Sequence, residues 1–381
     1  MTSKLEDLIA ELCPNGVEYK KIGDIADVKT GKSNGNEAEE DGLYPFFVRS
    51  ENIKRKNDWE YDEEAIIIPG EGGIGDIYHY IKGKYALHQR VYRVHFEEPI
   101  VNTRFAYYYF KSNFKRFIIR KAVSATVTSI RKPMIEDFEI PVPPLDVQAE
   151  IVRILDTFTE LTADLTAELT GRKKQYEYYR YTLLTFNDNN PLYSLIQRYC
   201  PNGVEYKKIG DIADYEQPTK YIVKSTRYDD SFTTPVLTAG QSFILGYTDE
   251  LDNIYLASKD NPVIIFDDFT GAIQWVDFPF KVKSSAMKMI TAKPNVLIRY
   301  LYHWMALLGF SSSEHKRLWI STYSNFEIPV PPLEVQRQIV QILDRFDALC
   351  NDLTQGLPAE IEARRKQYEY YRDQLLTFKR A

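Results

Sequence analysis

The chain has 381 residues, long for one domain and comfortable for two, and its 44% hydrophobic content is enough to bury sizeable cores. A net charge of -6 and a pI near 5.6 argue against a protein that coats nucleic acid indiscriminately, and no run of eighteen apolar residues offers a membrane span. Cys13, Cys200 and Cys350 are an odd number without CxxC spacing, which suggests neither a disulfide framework nor a zinc site.

The opening stretch, MTSKLEDLIAEL, is charged and amphipathic and lacks the apolar core of a signal peptide, so a cytoplasmic protein is expected. Cys13–Asp27 then reads CPNGVEYKKIGDIAD, and the same fifteen letters return at Cys200–Asp214. In residues 28–137 the runs AIIIPG, DIYHYI and RVYRV, bounded by Gly, Pro and Asp, read as strands. The string PGEGGIG at Pro69 invites a phosphate-cradle reading, but it lacks the GK[ST] ending of a P-loop and leads into IYHYI; a hairpin turn is expected. From Arg104, RFAYYYFKSNFKRFIIRK has three- and four-residue apolar spacing and predicts a helix. No acid falls between Glu98 and Glu136, while Arg104, Lys111, Lys115, Arg116, Arg120, Lys121, Arg131 and Lys132 do.

Next comes FEIPVPPLDVQAEIVRILD from Phe138, in which Val-Pro-Pro ends an extended segment and opens a helix. Along that helix Leu155, Phe158, Leu165, Leu169, Tyr176, Tyr179, Leu183 and Phe186 recur at alternating three- and four-residue steps, with Thr162 and Arg172 filling the gaps, a coiled-coil seam. Inside it TADL (Thr162–Leu165) is followed by TAEL (Thr166–Leu169), a tandem unit whose length is expected to act as a ruler. NDNNP (Asn187–Pro191) joins this half to a second, which starts near Leu192 and repeats the frame.

In the second half PVIIF and AIQWV read as strands and VLIRYLYHWMALLGF as a helix, so each insert is expected to be a mixed α/β globule. Residues 28–137 and 215–325 themselves show little obvious similarity. From Phe278 to Phe326 the only acid is Glu314, against Lys281, Lys283, Lys288, Lys293, Arg299, Lys316 and Arg317, so the basic stretch also recurs and suggests a phosphate-facing surface. The block FEIPVPPLEVQRQIVQILD from Phe326 and the string RRKQYEYYRDQLLTF from Arg364 match their first-half counterparts. Four extra residues between the two apolar series make a stutter, and Gly356 and Pro358 within it predict a bend or interruption.

Signs of catalysis are missing. The nearest string to an Asn-Pro-Pro-Tyr methyltransferase loop is NPLY at Asn190, which lacks the second proline; no HExxH or GxSxG occurs, and His79, His88, His95, His303 and His315 show no ligand spacing.

VPPLDVQAEIV, VPPLEVQRQIV and the doubled KQYEYYR resemble the conserved regions of type I restriction-modification specificity subunits, over the whole chain. The resemblance implies two α/β target-recognition domains on two long antiparallel coiled-coil helices, with a pseudo-twofold internal repeat. It places the first recognition domain in residues 1–143, a central helix and linker in 144–190, the second domain in 191–331 and a C-terminal helix in 332–381. It further implies a non-catalytic subunit that binds a bipartite double-stranded DNA site. By the same resemblance, two methyltransferase subunits and the restriction/translocase subunits carry S-adenosylmethionine, ATP and Mg, and this chain carries no cofactor. A self-contained DNA methyltransferase and a coiled-coil scaffold without nucleic acid are the competing readings. The first fails on the missing motifs; the second leaves unexplained why the frame is nearly identical while the inserts diverge.

No fixed contact motif transfers from the family, so the DNA contacts rest on chemistry: Arg, Lys, Asn, Gln, Ser or Thr on loops near basic surface. In the first half this selects Thr30, Lys32, Ser33, Asn34, Arg49, Asn52, Lys54, Arg55, Gln89, Arg90, Lys115, Arg116, Arg120, Thr126, Thr128 and Arg131. In the second it selects Lys220, Tyr221, Thr238, Gln241, Ser242, Lys283, Ser284, Lys288, Lys316, Arg317 and Thr322.

Overall fold

The computed structural model describes residues 3–97, 99–121, 129–238, 243–310 and 316–381. The chain divides into two compact units, one built from Met1–Thr166 with Glu360–Ala381 and the other from Ala167–Ala359.

The first unit starts with α1 (Ser3–Leu12), β1 (Tyr19–Lys21) and the single turn α2 (Ile22–Ile25). Then β2 (Asp27–Thr30), β3 (Tyr44–Phe47), β4 (Lys54–Lys56), β5 (Tyr61–Pro69), β6 (His79–Leu87) and β7 (Val91–His95) form a six-stranded sheet in the order β2-β7-β5-β6-β3-β4. PGEGGIG joins β5 to β6 in an antiparallel hairpin, as its sequence context predicts. β6 runs on beyond β5, so that Ala86 and Leu87 pair in parallel with Phe46 and Phe47. The amphipathic α3 (Thr103–Lys121) buries Phe105, Phe110, Phe114 and Ile118 in one cluster with Ile66, Ile68 and Val94 of the sheet. After α4 (Lys132–Glu136), β8 (Glu139–Pro141) returns beside β1 and the prolines end the ladder. Helix α5 (Leu145–Leu184) continues the chain as 40 unbroken residues, about 60 Å at 1.5 Å per residue, and the boundary between the units falls within it.

The second unit repeats the plan with α6 (Tyr193–Tyr199), β9 (Tyr206–Lys208), α7 (Ile209–Ile212) and β10 (Ala213–Glu216). β11 (Thr234–Leu237), β12 (Ile244–Thr248), β13 (Val263–Asp267), β14 (Ile273–Val276), β15 (Lys281–Val282) and β16 (Met287–Ala292) make two sheets, β10-β16-β13-β14 and β12-β11-β15. Here the strand equivalent to β6 is cut in two: Pro279 lies between β14, which pairs with β13, and β15, which pairs in parallel with β11. α8 (Ile298–Leu308), α9 (Leu318–Ser321), β17 (Glu327–Pro329) and α10 (Leu333–Asn351) complete the unit, and α11 (Leu357–Leu375) carries the chain back into the first.

The stutter is thus an interruption between α10 and α11. Gly356 sits against the carbonyls of the preceding turn, where a Cβ would come within 2.6 Å of Ala348 O. The apolar seam packs within each unit: Phe158 stacks on Tyr371 at 5.6 Å, and Tyr176 and Tyr179 stack on Phe346 at 6.1 and 5.1 Å.

Two internal devices fasten each insert to its frame, and both occur twice. Gln148 is fully buried; its Oε1 accepts from Asn102 N–H and its Nε2 donates to Ile100 O and Pro143 O. Gln336, also fully buried, accepts from Leu297 N–H and donates to Asn295 O and Pro331 O. On α3, Arg104 lies over Tyr80 and Tyr107 and donates to Asp156; on α8, Arg299 lies over Trp275 and Tyr302 and donates to Asp344. The inserts, dissimilar in sequence, are therefore attached in the same way.

Candidate nucleic-acid interface

At one end of the first unit's sheet, four segments distant in sequence meet. Gly31 passes so close to the end of β6 that a Cβ would overlap Leu87 O at 1.8 Å, which only glycine permits. Ser33 N–H then donates to Leu87 O, Gln89 N–H to Ser33 O, and His88 N–H to Phe47 O. The hairpin loop comes down on the same place. Gly70 N–H donates to Arg90 O, and Gly72, at φ +81°, lies where a Cβ would be 2.3 Å from Arg49 O. Between these glycines Glu71 takes Arg49 at 3.0 Å and Arg90 at 2.5 Å. Glu71, Arg49, Lys54, Gly35, Ser50 and His88 line a pocket of about 420 Å³.

Hydrogen bonds from Arg49 and then Arg90 hold the Glu71 carboxyl below its usual range. His88 is pushed down, mainly by burial and then by Arg49 and Arg90. Its Nδ1 accepts the Arg90 N–H, so the neutral ring carries its proton on Nε2.

The second unit repeats two of these backbone bonds, although its connection between the equivalent strands is one residue longer, 283–286 against 88–90. Val223 N–H donates to Val282 O, as Ser33 does to Leu87 O, and Lys283 N–H donates to Leu237 O, as His88 does to Phe47 O. The side chains there differ: buried His88 with exposed Gln89 and Arg90 in one unit, exposed Lys283 and Ser284 with half-buried Ser285 in the other.

The predicted contact residues divide accordingly. Lys32, Asn34, Arg49, Asn52, Lys54, Gln89 and Arg90 are exposed around the first cluster, with Asn34 Oδ1 accepting from Gln89 at 2.8 Å. Thr30 ends β2, where its carbonyl accepts from Tyr61. Arg55 is turned to its own hairpin and donates to Gly42 O and Leu43 O. Ser33 is buried and linked to Glu60 and Lys56, so it supports the cluster from beneath. On α3, Lys115 pairs with Asp76, while Arg116 and Arg120 are exposed and donate to carbonyls of their own helix. Arg131, exposed, precedes α4. Thr126, Thr128, Gln241 and Ser242 lie outside the described residues, as does His315.

In the second unit Lys283 and Ser284 are exposed beside Thr238 at the ends of β11 and β15. Lys220 is exposed but pairs with Glu216, and Tyr221 is buried with its hydroxyl on the same carboxylate. Lys316 and Arg317 are exposed ahead of α9; Thr322 ends it, and the α9 residues Leu318 and Trp319 belong to the core.

Lys288 is a correction. It is 1% exposed and pairs at 3.1 Å with Asp268, itself 1% exposed, because β16 runs through the sheet interior. The recurring basic stretch needs the same revision. Lys281 is 0% exposed and held by Glu250 and Asp252, Arg299 by Asp344 and Asp347, and Arg104 by Asp156. These acids come from other segments, so counting charge along the chain overstates the free positive surface. The NPLY string is structural too: Asn190 Nδ2 donates to the carbonyls of Thr182, Leu183 and Thr185 at the end of α5.

Sequence reasoning did not select Glu71. Its signal was available as the glutamate flanked by glycines in a β-hairpin. Among the described residues no group of three or more His, Cys, Asp or Glu side chains is placed to hold a metal ion, and no helix is long and apolar enough to cross a membrane.

The sequence family described as the type I restriction modification DNA specificity domain matches residues 14–171 and 201–363. An Escherichia coli protein, the type I restriction enzyme EcoR124I/EcoR124II specificity subunit, is 54% identical over 187 residues, which is 46% of this chain and 45% of that protein. A putative type I restriction enzyme specificity subunit of Haemophilus influenzae is 29% identical over 392 residues, 95% of this chain and 96% of its own length. In fold, the crystal structure of a type I restriction-modification S subunit from M. genitalium aligns with a TM-score of 0.67 at 16% identity, covering 95% of this chain and 97% of that one.

Proposed function

We propose, because the chain belongs to the type I restriction-modification DNA specificity family, that each unit reads one half of a bipartite double-stranded DNA site. The supporting observation is that both units close the same end of equivalent strands with the same pair of backbone bonds and carry different side chains there. Such a frame keeps two readers in one geometry while letting their hydrogen-bonding surfaces differ. On this reading the chain performs no chemical step. Two methyltransferase subunits with S-adenosylmethionine, and restriction subunits with ATP and Mg, act on cytoplasmic DNA that the chain has selected. The exposed candidates Lys32, Asn34, Arg49, Lys54, Gln89, Arg90, Arg116, Arg120, Lys283, Ser284 and Arg317 are the contacts we assign to it.

Exchange of residues 215–325 for the corresponding insert of a relative, with mapping of methylated sites in cells carrying the complete system, tests this. One half-site changes and the other stays. A change in both, or in neither, overturns the reading.

A further inference from the structure

The loop that resembles a phosphate cradle in sequence has a different occupant in the structure: its glutamate stands between two arginines. Gly70 is hydrogen-bonded to the Arg90 backbone and Gly72 lies against the Arg49 backbone, so the two neighbours of Glu71 in sequence fix the carboxylate between these two side chains. Both arginine side chains are about half exposed, at 49% and 57%. Two cations on one anion leave a net positive charge, Lys54 adds another on the pocket wall, and the neutral His88 adds none.

We propose that Glu71 is a positioning residue that holds Arg49 and Arg90 as a fixed pair of donor forks, and that the pair reads a guanine in the half-site of the first unit. This rests on the proposed reading of the chain as a DNA-specificity subunit and deepens it. A guanidinium has five N–H donors, so one that gives an edge to Glu71 keeps others for a second acceptor. The major-groove edge of guanine offers two adjacent acceptors, O6 and N7, which match that fork. A phosphate is a poor occupant, because its approach to either guanidinium brings its charge toward the carboxylate between them. A base edge carries no net charge and escapes that repulsion. Glu71 can in addition accept from the exocyclic amine of the paired cytosine.

The test uses the chain assembled with its methyltransferase subunits, and competition binding against DNAs in which each base pair of the first unit's half-site is changed singly. Glu71→Gln lowers discrimination at one G·C pair by about tenfold, within the range of a lost bidentate contact, while binding to unrelated DNA stays equal or tightens because a negative charge is gone. Arg90→Lys keeps the charge and loses the fork; it relaxes the same pair with an unchanged salt slope. Arg116→Ala with Arg120→Ala instead weakens all sequences alike and flattens the salt slope by roughly one unit per contact. The proposal is overturned if Glu71→Gln and Arg90→Lys leave every single-pair preference intact, or if both weaken all sequences uniformly. In that event insert exchange separates the failures: if the half-site still tracks the insert, only the guanine assignment falls, and if it does not, the DNA-reading role falls with it.

Discussion

The duplicated glutamine clamp offers a direct measure of how firmly each reader is fixed to its frame. Gln336→Met keeps roughly the side-chain volume and removes three hydrogen bonds, at 2.8, 2.9 and 2.7 Å. Each intramolecular hydrogen bond contributes about 0.5–1.5 kcal/mol net, and the bond to Pro331 O is buried, so the loss sums to about 3 kcal/mol. That is roughly a hundredfold in the folded-to-unfolded ratio. Asn295 adds to the cost because its backbone, at φ +72°, depends on Gln336 for a partner to its carbonyl. Gln148→Met carries the same three-bond loss in the first unit. Urea unfolding of each variant gives the magnitude, and hydrogen exchange gives the location: Gln336→Met raises exchange in α8 and spares α3, and Gln148→Met does the reverse. A loss below about 1 kcal/mol, or equal deprotection of both helices by either variant, would refute the argument that these bonds are what attaches insert to frame.

The remaining predictions concern pH and spacing. His303 is fully buried among Asp344, Asp347, Arg299, Tyr176 and Tyr302, and burial, stronger than the pull of Asp344, holds its imidazole below the ordinary 6.5. The folded state therefore binds its proton later than the unfolded state, so the contribution is complete above about pH 6.5 and declines as pH falls toward the folded value. His303→Tyr, the residue found at the equivalent Tyr108, flattens that decline in melting curves taken across the window; wild-type and variant curves that stay parallel would count against it. A third TAEL unit in α5 adds about 6 Å and turns the downstream part of the helix by about 40° beyond a full turn, while one base pair adds about 3.4 Å and roughly 35°. Methylome sequencing of that variant should show both half-sites unchanged and the unspecified spacer about one base pair longer; an unchanged spacer means the helix is not the ruler.

The frame was legible because its copies are nearly identical letter by letter, and the hairpin and the broken second helix were legible from glycine and proline placed where ladders and helices cannot continue. The likeness of the inserts was not. VNTRFAYYYF and VLIRYLYHWM share only Val101 with Val296, Arg104 with Arg299 and Tyr107 with Tyr302, at an offset different from that of the frame. Three matches in ten mean little until the structure shows each arginine lying on an aromatic ring and bonded to the frame's aspartate. Charge misleads for a related reason: Lys288 and Lys281 look like surface cations until Asp268, Glu250 and Asp252 arrive from elsewhere in the chain.

This difference between what is shared and what varies has a physical basis. Gln148, Gln336, Arg104 and Arg299 meet partners inside the fold, so replacing any of them leaves buried donors or acceptors unpaired and costs stability. The loops at the sheet end share backbone bonds, Ser33 to Leu87 and His88 to Phe47 in one unit, Val223 to Val282 and Lys283 to Leu237 in the other, while side-chain bonds such as Gln89 to Asn34 and Arg90 N–H to His88 Nδ1 belong to one unit. A backbone bond asks nothing of the side chain attached to it. His88 and Lys283, different as side chains, donate the equivalent backbone N–H. The sheet end is thus a place where two units keep common backbone bonds under different side chains. In the first unit Glu71 is held there as well, its place between Arg49 and Arg90 set by the backbone approaches of Gly70 and Gly72.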